Sequence, residues 1–256
     1  MKAASFFFLA ILLPASNSDD SLPNHVHLLM PHSGHAPPEI NCLSWRLAVE
    51  TDNVRDWDVV PEACEDYVGR YMLGNQYRDD CNAVGDAALG YAASLKLAGD
   101  HKDMWVFDID ETALSNLPYY ARSDVAFGAK RYNRTKFGEW IQARKAPAVP
   151  AVLSLYNQLI SLGFRIAFLT GSSELYRESR VFNLKNAGYH SWEKLIFKSI
   201  AERGTKSVVF KSKKRKELEE GGYRILGNMG DQWSDLIGSN VGNRTFKLPD
   251  PMYYVS

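Results

Sequence analysis

Hydrophobic runs in this chain alternate with amphipathic stretches. Met104 to Ile109, Phe164 to Leu169 and Tyr223 to Leu226 are short apolar runs with turn residues behind them, the pattern of buried strands. Leu195 to Phe197 and Ser207 to Phe210 are shorter strand candidates, and the C-terminal "RTFKLPDPMYY" reads as an edge strand with an extended tail. Between these runs the spacing turns helical. One helix is expected from Pro61, with Cys64, Val68 and Met72 on one face, and a second from about Gln76 to Leu97. Others run from Pro150 to Leu162, ended by Gly163, from Glu174 to Asn186, ended by Gly188, and from Lys211 to Glu220, ended by Gly221 and Gly222. Leu114 to Lys145 reads as short helices and loops rich in aromatics. Strand–helix alternation predicts an α/β fold with a mostly parallel sheet covered on both faces, and ligands beyond the carboxyl ends of its strands.

The 256 residues suffice for a substantial core, and 30 acids balance 30 bases, so no net charge recommends nucleic acid or an anionic membrane as a partner. The basic run Lys211 to Lys216 reads as solvated helix. At the N-terminus, Lys2, the apolar run Phe6 to Leu13 and small residues to Ser18 have the layout of a secretory signal, expected to span residues 1–18. That run is too short to be a membrane anchor. Residues 19–41, rich in Pro, Ser and His, are expected to form a flexible segment, and 42–256 a single domain. Secretion permits a disulfide. Of three cysteines, Cys42 and Cys64 are the expected pair, with Cys81 a small buried residue in a helix. Asn133 and Asn243 open N-x-T triplets and are candidate glycan sites.

The chemistry concentrates at strand ends. Asp108 and Asp110 lie at the carboxyl end of the first run, Thr170-Gly171-Ser172 follow the second, and Asp231 and Asp235 lie in and after the loop behind Tyr223 to Leu226. On a parallel sheet these loops converge. Two carboxylates this close need a cation, and an oxygen-only set suits a hard ion, Mg²⁺. Hydroxyls of Thr170 and Ser172, backbone near Gly171, and Lys211 at a helix mouth would serve a phosphoryl group. Lys198, also behind an apolar strand, is the rival lysine.

In their order, "DIDET", "LTGS", Lys211 before a helix and "GDQWSD" resemble the four motifs of the haloacid dehalogenase superfamily. The strings "CLSWRLAVE", "VPEAC", "FDIDETALSNLPYY", "GYRILGNMGDQWSDL" and "RTFKLPDPMYY" are similar to the plant acid phosphatase and vegetative storage protein family, related to class B acid phosphatases. The resemblance implies a Rossmann-like fold with a small helical cap at about 114–146 and an N-terminal helical extension. It implies Asp108 as nucleophile, Asp110 as proton donor and acceptor, and Thr170 and Lys211 on the phosphate. Asp108, the Asp110 carbonyl and Asp231 would bind Mg²⁺, with Asp235 in support. The expected substrate is a small phosphate monoester, the expected place extracellular or vacuolar, and a homo-oligomer is compatible with the sequence. A storage protein is the alternative. A dehalogenase is disfavoured, because Asp110 matches the phosphatase branch.

Overall fold

The computed structural model describes Ile40–Ser256, so the signal and flexible-segment expectations for residues 1–39 lie outside the described residues. The chain enters through α1 (Cys42–Glu50), a 3-10 turn (Glu62–Cys64), α2 (Glu65–Leu73) and α3 (Asn75–Ser94). Strand β1 (Asp103–Phe107) follows, then α4 (Leu117–Tyr120), α5 (Arg134–Ala143), α6 (Pro150–Leu162) and β2 (Arg165–Ser173). The remainder is α7 (Arg177–Asn186), β3 (Lys194–Lys198), α8 (Ser207–Glu220), β4 (Arg224–Gly230), α9 (Trp233–Leu236) and β5 (Thr245–Lys247).

The five strands form one parallel sheet in the order β3-β2-β1-β4-β5. Every residue of central β1 is buried, as both faces are covered. Its side chains alternate: Trp105 and Phe107 pack with α2, α3 and α6, while Met104 and Val106 pack with Phe210 and Leu218 of α8. Trp105 lies so close to β4 that a Cβ on Gly227 would stand 2.4 Å from its ring, which explains that glycine. Cys42 and Cys64 are bonded across a separation of 22 residues, and Cys81 is free and buried. Cys42 opens helix α1. Among the described residues no helix is long and apolar enough to cross a membrane.

One element differs in kind from expectation. Ser207 to Phe210 is the first turn of α8, not a strand. Ser207, Phe210 and Lys211 are buried while Val209 is 56% exposed, the i, i+3, i+4 pattern of a helix. Lys211 therefore sits in the second turn, not at the helix mouth. The basic run is also divided: Lys211 and Arg215, four apart, face inward, while Lys213 and Lys216 are solvated. Smaller differences are boundaries. Helix α3 stops at Ser94, where Leu95 turns extended, and β2 and β4 run on to Ser173 and Gly230.

Candidate active site

Register brings the sequence-predicted residues together. Phe107 of β1 pairs with Phe168 of β2 and Met229 of β4, and the Asp108 N–H donates to the Met229 carbonyl at 3.0 Å. Asp108, Thr170 and Asp231 thus leave adjacent strands at the same level. Asp108 and Thr170 open on a cavity of about 730 Å³ that is also lined by Asp110, Gly171, Ser172, Lys211 and Asp235, while Asp231 is buried behind its wall. The tyrosines of the cap and the C-terminal tail form its far wall; Tyr120 stacks on Tyr253 with centroids 5.4 Å apart.

At its floor, Lys211 Nζ donates to Asp108 Oδ1 at 2.5 Å and to Asp235 Oδ1. Burial opposes the ammonium, but Asp108 and Asp235 outweigh it and hold Lys211 protonated well above its ordinary range. Burial pushes Asp108 upward; the Lys211 charge opposes that, and Asp235, Asp231 and Asp110 add to it. Asp231 is also driven up, first by burial and then by Asp235 and Asp250. Its Oδ1 accepts from Thr112 Oγ1 at 3.0 Å, and its Oδ2 from Gln232 Nε2 at 2.9 Å and Tyr253 OH at 3.1 Å. Asp235 folds over Gly230, where a Cβ would stand 2.3 Å from its Oδ2, so the glycine is a condition of that placement.

Carboxylate oxygens of Asp108, Asp231 and Asp235 lie within 4.8 Å of one another, all buried. With all three ionised, the carboxylates against one ammonium would leave a local charge of −2 (three negatives, one positive). An all-oxygen donor set with that deficit fits a hard divalent cation. The Asp110 side chain is not in this cluster. Its Oδ1 accepts from Arg180 Nη2 and, at 2.8 Å, from Asn116 Nδ2.

On the opposite lip, Thr170 Oγ1 accepts the Ser172 N–H at 3.0 Å, leaving the Thr170 O–H to donate elsewhere and the Ser172 amide already engaged. A Cβ on Gly171 would meet only Ser207 Oγ, at 3.5 Å, so the space there is open to a ligand rather than closed by protein. Lys198, the rival lysine, also lines the cavity but donates to the Thr205 carbonyl. Asn133 and Asn243 are both exposed, Asn133 as the cap of α5.

Sequence reasoning did not single out Arg180, Asn116, Gln232 or Asp250. Asn116 donates its N–H and Nδ2 to Glu111 at 2.5 and 2.7 Å, and its Oδ1 accepts from Trp140 Nε1 at 2.8 Å. Glu111, the third acid of "DIDET", is fully buried, and burial raises its carboxyl far above the usual range. Arg180 did carry a readable signal: it shares a helix face with Asn183 and Leu184, and an arginine on the buried face of an amphipathic helix calls for a partner.

Comparison with known proteins places the chain in a family. Residues 29–256 match the family model "HAD superfamily, subfamily IIIB (Acid phosphatase)". Acid phosphatase 1 of Solanum lycopersicum is 42% identical over 97% of this chain and 98% of that protein. The Stem 28 kDa glycoprotein of Glycine max is 42% identical over 100% and 99%. Vegetative storage protein 2 of Arabidopsis thaliana is 41% identical over 84% and 80%. The class C acid phosphatase structure from Bacillus anthracis shares the fold, with a TM-score of 0.61 at 20% identity, over 74% of this chain and 85% of that one. The class is that of a phosphomonoesterase on a parallel α/β sheet. The chain belongs to subfamily IIIB of the haloacid dehalogenase (HAD) superfamily, the acid phosphatases.

Proposed function

We propose that this chain is a secreted or vacuolar, Mg²⁺-dependent acid phosphatase that hydrolyses small phosphate monoesters through an aspartyl-phosphate on Asp108. The observation that carries the reading is the buried contact of Asp108 with Lys211, beside Asp231 and Asp235 at the mouth of the central strand. The Lys211 ammonium fixes the Asp108 carboxylate at the strand end and opposes the upward push of burial on it, which favours the ionised form that attacks. An Asp108 oxygen attacks phosphorus, the P–O ester bond breaks, and the departing oxygen takes a proton from Asp110. Asp110 then accepts a proton from the water that attacks the aspartyl-phosphate, which releases inorganic phosphate and restores Asp108. Lys211 and the Thr170 hydroxyl hold the phosphoryl oxygens, and Gly171 leaves them room. Asp108, Asp231, Asp235 and the Asp110 carbonyl would hold Mg²⁺, which when bound neutralises charge on the phosphoryl group.

The names of the glycoprotein and storage relatives support entry into the secretory pathway and glycans on Asn133 and Asn243. They also support a second reading, a storage protein with secondary phosphatase activity. Hydrolysis of an aryl phosphate with and without Mg²⁺, beside Asp108→Asn, tests the pair. Metal-dependent turnover that disappears in a folded Asp108→Asn establishes the enzyme. An inert wild type, folded and supplied with metal, leaves storage as the better account.

A further inference from the structure

We propose that Arg180 and Asn116 clamp one oxygen of Asp110, Oδ1, so that the other, Oδ2, faces the leaving group, and that Arg180 is thereby a positioning residue for protonation of the departing alcohol. The inference rests on the phosphatase reading of Asp110 given above.

Arg180 is fully buried, on α7. Taking a guanidinium out of water is unfavourable unless charge and hydrogen bonds compensate. Arg215 shows what compensation looks like in this protein. It is equally buried, and its Nε, Nη1 and Nη2 donate to the carbonyls of Ser239, Asp235 and Ile237. That arginine ties α8 to the loop after α9, a structural task. Arg180 differs: among the described residues its Nε and Nη1 have no partner, and its one ion pair is with Asp110. A guanidinium so poorly satisfied contributes little as a brace. What it does is fix the direction of one carboxylate.

A second donor converges on the same atom. Asn116 Nδ2 lies 2.8 Å from Asp110 Oδ1. The Asn116 amide cannot turn over without loss, because Nδ2 also reaches Glu111 at 2.7 Å and Oδ1 accepts the Trp140 indole N–H at 2.8 Å. Among the described residues no hydrogen bond reaches Asp110 Oδ2, while Asp110 itself lines the cavity with its side chain 18% exposed. Two donors on Oδ1 exclude a proton from that oxygen, so a proton moving between Asp110 and the substrate travels by Oδ2. Trp140 belongs to α5, so the clamp also ties the cap to the proton-transfer group.

The test is leaving-group dependence, which a merely structural role would not alter. An alkyl phosphate needs its departing oxygen protonated; p-nitrophenyl phosphate, with an acidic leaving group, barely does. Values of kcat/KM report the step in which that oxygen departs. In Arg180→Met, kcat/KM for ethyl phosphate is expected to fall about tenfold further than for p-nitrophenyl phosphate, a part of the roughly 10²–10⁴ that a positioned general acid supplies. Arg180→Lys, which keeps the charge, is expected to recover part of that gap. If Arg180→Met does not fold, Trp140→Phe carries the test, with a smaller change of the ratio in the same direction. An unchanged ratio in the folded variant, whatever the loss in absolute rate, overturns the clamp. A wild type that hydrolyses neither ester refutes the phosphatase reading and takes the clamp with it.

Discussion

The sharpest consequence of the site's charge balance concerns Lys211→Met. The substitution conserves most of the side-chain volume and removes the one ammonium that touches both Asp108 and Asp235. At an effective dielectric of about 20, a contact of 2.5 Å corresponds to about 7 kcal/mol of attraction before desolvation is subtracted. Protonation limits the damage. Neutralising a carboxyl of ordinary pKa, about 3.9, costs about 4 kcal/mol at pH 7 and about 1.5 kcal/mol at pH 5. The variant protonates a carboxylate rather than bear more than that. The range of about 3–5 kcal/mol for breaking a buried pair agrees. The sign follows: the variant's folded state holds a proton that its unfolded state gives up above about pH 4, so its stability relative to wild type falls as pH rises.

Thermal unfolding in EDTA measures this directly. At about 3 °C per kcal/mol for a chain of this size, Lys211→Met should melt about 12 °C below wild type at pH 7 and about 5 °C below at pH 5. Added Mg²⁺ should narrow the gap, because the variant's three carboxylates lack their internal cation and bind an external one more strongly. Equal melting temperatures at pH 7, or a gap that does not shrink on acidification, would show that Lys211 does not compensate Asp108 and Asp235.

Two further outcomes follow from buried groups away from the nucleophile. Burial, reinforced by Glu111, raises the Asp250 carboxyl far above its ordinary value, so the folded state holds a proton there that the unfolded state loses above about pH 4. Metal-free stability should therefore decline as pH rises from about 4, and Asp250→Asn should flatten that slope by up to about 1.4 kcal/mol per pH unit, read from urea melts at several pH values. Replacing Cys42 and Cys64 by Ser removes a cross-link across 22 residues and should cost about 3 kcal/mol of stability in the same assay. Thiol labelling of the intact protein should count one cysteine, Cys81, and only after unfolding, because it is buried and burial pushes its thiol up to about 12.

What the sequence made legible was whatever lies within a short stretch. Three apolar runs, each followed by its own polar loop, were enough to place Asp108, Thr170 and Asp231 on one edge of a sheet, because parallel strands put their carboxyl ends together. Four residues were too few to tell a period of 2 from one of 3.6, so Ser207 to Phe210 read as a strand although it opens α8. The same error set Lys211 at a helix mouth. Other features are invisible to local pattern. Arg180 meets Asp110 across 70 residues, and Tyr253 meets Asp231 from the C-terminal tail. Whether Lys211 or Lys198 faces the nucleophile depends on how a helix and a strand are rotated in three dimensions, which neither residue's neighbours encode.

Two aspartates separated by one residue would ordinarily meet the same partners. Here the strand's end prevents it. Asp108 continues the line of β1 and points down to Lys211, between β2 and β4, while Asp110 lies beyond the turn and meets Arg180 from α7. Each therefore has its own cation, on a different helix. Asp108 is buried, and its ammonium is shared with Asp235; Asp110 is partly exposed, with one oxygen held and one free. Different partners on neighbouring carboxyls let one site hold a nucleophile beside a proton carrier. Glu111, directly behind them, completes the separation. Its carboxyl does not line the cavity; it accepts from Asn116 Nδ2, which also donates to Asp110. The third acid of "DIDET" thus acts on the second through a single asparagine, which is why a buried strand can end in three acids and still fold.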